Sequence, residues 1–147
     1  MGLRNSKDWN RFLLRFFIAF GFWEVASVPL RTLLFSIFYY DPFYHFFFIP
    51  VAEVLWIGPI VADLIQVFFL GILITLTRAN LPIGIVGGIL VGFSFSIAAF
   101  AAPTLSVLHL TRAVPTQIAW LWVLYQSILV LVASLIYSYS SEDEELS

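Results

Sequence analysis

The sequence predicts an all-α polytopic membrane protein, a four-transmembrane-helix bundle with an aromatic interfacial segment between helices 1 and 2. Three observations carry this. Of 147 residues, 61% are hydrophobic and 11% charged, against roughly 45–50% and about 25% in ordinary soluble domains. The apolar residues gather into four stretches, each near the roughly 20 helical residues that cross a hydrocarbon core. Charges sit mostly at the ends and turns of those stretches. A soluble fold of this size would leave many of its 16 Phe and 5 Trp in water, whereas lipid accepts apolar side chains on the outside.

One membrane domain is expected over residues 1–147, with spans near 12–34, 55–77, 83–107 and 114–137, and no separate soluble catalytic domain. A basic N-terminus, 1–11, and an acidic tail, 140–147, flank them. Arg4, Lys7, Arg11 and Arg15 precede the first apolar run as in a signal peptide, with Val25 and Ser27 as a conceivable cleavage site. Glu24 interrupts that run and the apolar pattern resumes after it, so retention as the first span is expected. Pro29 is placed to kink it. The turn Arg78-Ala79-Asn80-Leu81-Pro82 reads as a helix stop and restart, and span 3 as breakable near Pro103. No internal repeat is evident, which does not favour an inverted-repeat transporter within one chain.

Residues 35–50 hold nine aromatic side chains. Tyr suits the headgroup level, with an apolar ring and a wet hydroxyl, so the segment is expected in the outer interface, with a short re-entrant helix as the rival reading. Asp41-Pro42 marks a turn within it. Trp120, Trp122 and Tyr125 at one end of span 4, and Tyr137 and Tyr139 at the other, read as aromatic belts. Short loops rich in Lys and Arg resist translocation. Arg4, Lys7, Arg11, Arg15 and Arg78 fall on one side and Arg112 on the other, which puts both termini in the cytoplasm.

The absence of cysteine excludes disulfides, thiolate metal sites and a Cys nucleophile. His45 and His109 are isolated, and Asp41 with His45 makes neither a metal site nor a triad. No metal or cofactor is expected, and no basic stripe offers itself to nucleic acid. Met1-Gly2-Leu3-Arg4-Asn5-Ser6 fits the myristoylation pattern, a match of three fixed positions that would add little anchoring to several spans.

Gly84, Gly88 and Gly92, continued by Ser96 and flanked by Gly87, recur every four residues in span 3. Such a face lets another helix approach its backbone, within the protomer or in a partner. In span 1, Phe17, Gly21, Glu24, Val28 and Arg31 form one seam at three- and four-residue steps; in span 2, Trp56, Pro59, Asp63, Gln66 and Leu70 form another. Both seams should face the bundle interior. An acid exposed to hydrocarbon costs at least about 2.5–3.5 kcal/mol on insertion scales. Glu24, Arg31, Asp63 and Gln66 are therefore expected to form an intramembrane polar cluster, together with Gln126.

Two functional classes follow. The first is a small non-enzymatic accessory or assembly subunit of a membrane complex, or a homo-oligomer, with the lipid bilayer and other membrane subunits or itself as partners. The alternative is a small proton-linked transporter or permeation unit that uses Glu24 and Asp63.

Overall fold

The computed structural model describes residues 6–50, 53, 55, 57–82, 84–111 and 114–139. The sequence features at Arg4, the acylation pattern, Trp56, Arg112 and the acidic tail lie outside those residues. The chain runs α1 (Ser6–Tyr39), α2 (Ile57–Thr77), α3 (Ile85–Ser96), a π-helical turn (Ile97–Ala101), α4 (Ala102–Leu110) and α5 (Thr116–Tyr139), with 3-10 turns at His45–Phe47 and Arg78–Asn80. No strand occurs among the described residues. Since α3, the π turn and α4 are continuous, four helices are long and apolar enough to cross a membrane, which suggests a multi-pass membrane protein.

At 34 residues α1 is about 51 Å long, well beyond a hydrocarbon core of about 30 Å. Pro29 removes the amide that would meet the Val25 carbonyl, yet the helix continues through it. The Ser27 and Thr32 hydroxyls donate to the Glu24 and Val28 carbonyls on either side of that gap, both at 2.9 Å. The helix also runs five residues past the span expected from sequence. Phe35 thereby leaves the interfacial segment for the core, against Trp122 and Tyr125. The remaining aromatic segment is a turn rather than a re-entrant helix. The Asp41 carboxylate accepts from the Phe43 amide at 2.7 Å and its carbonyl from those of Tyr44 and His45. One 3-10 turn follows.

Span 3 is widened at Pro103 rather than broken. The proline sits in the first turn of α4, where it lacks an N–H and its ring would crowd the carbonyl four residues back. Just before it, the Ala102 amide reaches five residues back to Ile97, and the helix passes through a π turn. At the start of the span Gly84 has φ 72°, a left-handed backbone that favours glycine. Its carbonyl accepts from the Gly88 amide.

The central helix is α5, which packs against α1, α2 and α3; α1 also packs on α2, and α3 leans on α5. On the α3 side, a Cβ added to Gly88 would lie 3.1 Å from the Ser134 carbonyl oxygen and 3.2 Å from Leu135 Cα. One on Gly92 would lie 3.1 Å from Leu131 Cα. The Gly87 hydrogen faces the Pro82 carbonyl, leaving no room for a side chain. On the α2 side, Gly71 admits the Tyr137 ring, whose hydroxyl donates to the Val67 carbonyl at 3.1 Å. Phe12 lies across Tyr137 and Phe68, and Phe16 meets Phe68 edge-on. The end of the bundle where α1 begins and α5 finishes is thus held by direct backbone approach and aromatic contacts.

Gly88→Leu should push α3 off α5 at a cost of about 1–3 kcal/mol, the range for overpacking. Gly21, with nothing within 4 Å of an added Cβ, should accept leucine within about 0.5 kcal/mol. Thermal unfolding of both variants in one detergent checks this, and equal midpoints would contradict it.

Candidate functional site

The polar residues of α2 follow the expected seam. Asp63 is 7% exposed and Leu70 is sealed, with Pro59 and Gln66 partly buried beside them. On α1 the seam is rotated from the expected one. Phe16, Ala19, Trp23 and Ser27 point inward, while Phe17 and Val28 are 64% and 63% exposed and Gly21 is open. The large rings of Phe16 and Trp23 fill the interior, which turns Glu24 and Arg31 to the flank of the inner face, partly buried.

The α1 flank, α2 and α5 enclose one group of polar side chains. Arg31 donates from Nη2 to the Tyr125 hydroxyl at 3.2 Å, and its guanidinium lies 5.7 Å from the centroid of the same ring. That distance suits a cation–π contact. The Trp23 indole N–H lies beside the Asp63 carboxylate without closing a hydrogen bond. Glu24, Asp63 and Arg31 are within electrostatic reach of one another. No direct ion pair joins these three residues: one Glu24 oxygen and the Arg31 Nε are buried without a partner. Gln66 donates to Gln126 at 3.4 Å, a long bond between α2 and α5.

Two members escaped the sequence reading. Trp23 precedes Glu24 directly, which was its only signal. Tyr125 read as part of an aromatic belt, but it is 1% exposed and holds Arg31, whereas Trp120 and Trp122 are exposed. Tyr137, also read as belt, is buried on Gly71. The helix-packing residues form a separate place on the other side of α5. There Gly88 and Gly92 meet α5, buried Ser96 donates to the Gly92 carbonyl at 2.7 Å, and Gly84 caps the helix.

The two histidines serve local structure. His45 Nδ1 meets the Pro42 carbonyl at 2.9 Å, and His109 Nδ1 meets that of Leu105 at 2.7 Å. Among the described residues no group of three His, Asp or Glu is placed to hold a metal ion.

Chemically, the cluster can hold charge. Asp63 lies two turns into α2 and Tyr125 in the first half of α5, so the cluster occupies the half of the bundle nearer the α1–α2 loop. Two carboxylates face one guanidinium there, in a region with little water to solvate the surplus. No protein family, curated protein or solved structure matches this chain.

Arg31→Ala should destabilise the protein by about 1–3 kcal/mol, because it strands a buried carboxylate and frees the Tyr125 hydroxyl. Adding Asp63→Asn should recover part of that loss, since the group left unbalanced is then neutral. The pair of unfolding midpoints decides it: losses that simply add would show that Arg31 and Asp63 do not act on one another.

Proposed function

We propose that this chain is a small non-enzymatic membrane protein that works by lateral association, as an accessory or assembly subunit of a membrane complex or as a homo-oligomer. One observation supports the reading most directly. The half-span 97–110 contributes no buried residue to the bundle. Ser94, Ala98, Ala102 and Ser106 recur along that span at four-residue spacing, and all four are exposed. Small residues are what transmembrane helices present to one another, because close backbone approach replaces the hydrophobic drive that lipid removes. A lipid-facing half-span gains nothing from them.

In this reading both termini are cytoplasmic, as the distribution of Lys and Arg argues. Four crossings bring the start of α1 and the end of α5 to the same side. A second reading, a small proton-linked transporter or permeation unit, is favoured by the surplus carboxylate among Glu24, Asp63 and Arg31.

The chain has no cysteine, so single cysteines can be introduced without background. Cysteines at Ala98 and Ser106 should crosslink in native membranes, to a second copy or to another subunit, while Phe17→Cys on the outer face of α1 should not. A particle of monomer size in mild detergent, with no crosslink from either position, would defeat lateral association. Reporter fusions after Arg78 and after Tyr139 should both read cytoplasm; a signal from the opposite side at either position would overturn the orientation.

A further inference from the structure

We propose that Glu24 is a proton-binding site inside the membrane, taking up and releasing one proton while Asp63 stays ionised opposite Arg31. The proposal supplies a residue for the proton-linked reading of the chain, and the site stands or falls apart from any flux.

The charges of the cluster do not balance. The charged groups that act on Glu24 are Arg31 on its own helix and Asp63 on α2; from α5, Tyr125 bonds Arg31 and neutral Gln126 bonds neutral Gln66 of α2. With both carboxylates ionised, the cluster carries one uncompensated negative charge in a region that offers little water. Adding one proton from the aqueous phase to a carboxylate oxygen makes the cluster neutral. Releasing it restores the charge, and no bond other than that O–H changes.

The two acids differ in their immediate partners. Asp63 is enclosed by the bundle with an indole N–H beside it and a guanidinium within reach, and both favour negative charge. Trp23 itself is 1% exposed, and its buried N–H, with no hydrogen-bond partner, lies beside this carboxylate. Glu24 shares the guanidinium but has no indole N–H beside it. One of its oxygens is sealed with no donor to meet it, and Arg31 is held by Tyr125 instead. Its side chain lies on the flank of α1, between inward-facing Trp23 and exposed Val25. A neutral carboxylic acid leaves no unsupported charge on that sealed oxygen.

The experiment is infrared spectroscopy of the purified full-length protein in lipid nanodiscs as pH is raised. Wild type should show a protonated-carboxyl stretch that disappears reversibly at high pH, and Glu24→Gln should lose that band. A band absent from wild type at every pH, or one that survives in Glu24→Gln, would overturn the proposal. If Glu24→Gln does not fold, wild type can be treated with a hydrophobic carbodiimide, which adds to protonated carboxyl groups, and mapped by mass spectrometry. An adduct at Glu24 that fades as pH rises supports the assignment; modification of Asp63 instead, or of neither, overturns it. Reconstituted vesicles under a pH gradient test the transport reading separately. A Glu24 band with no flux would keep the site and remove the transporter.

Discussion

In hydrocarbon a helix satisfies its own backbone, and its apolar side chains gain little by leaving lipid for another helix. What fixes one span against the next is therefore backbone approach and the meeting of polar groups, and α5 collects both. On one side it receives Gly88 and Gly92 of α3; on the other it sends Tyr137 over Gly71 to the Val67 carbonyl and offers Tyr125 to Arg31. The remaining apolar contacts adapt to these fixed points. Removing α5 would leave α3 without its main support, whereas α1 and α2 would still touch.

The same shortage of water governs the irregular places. Hydroxyls in the spans turn back to carbonyls of their own helix, as Thr75 does to Gly71 at 2.8 Å and Thr77 to Leu73 at 2.7 Å. Pro29 is tolerated with such hydroxyls on either side of it, and Pro103 by the π turn that precedes it. A soluble helix could leave a freed carbonyl to solvent; ahead of Pro103 this helix changes its pitch instead.

Composition and the spacing of apolar runs made the four spans legible, because length and hydropathy are what a bilayer tests. The end of α1 was not legible. An aromatic residue suits both a membrane interface and a core, and only the partners Trp122 and Tyr125 decide for Phe35. The α2 seam could be read because Asp63 and Gln66 are polar in an otherwise apolar helix. The α1 seam was rotated for the opposite reason: Phe16, Phe17, Trp23 and Val28 are all apolar, and lipid and protein accept them equally. Glu24 and Arg31 were drawn to the centre of a face that belongs to Trp23 and Ser27. Tyr125 escaped because a tyrosine near a helix end has an interfacial explanation ready, and its role depends on an arginine 94 residues away.

These contacts make the two ends of the bundle unequal. Where α1 begins and α5 finishes, Gly71, Gly88, Tyr137 and the Phe12 ring bring backbones and aromatic faces together, and little can move without a clash. Toward the α1–α2 loop the helices are joined by longer and more adaptable contacts: an arginine to a tyrosine, one long glutamine pair and the rings around Phe35. Residues 97–110 stand uncovered in that same half. A group that changes charge needs neighbours that can rearrange, whereas a bundle in lipid needs at least one contact that cannot. The charged cluster thus lies in the half joined by the longer contacts and the glycine contacts in the half joined by the shorter ones, and α5 takes part in both.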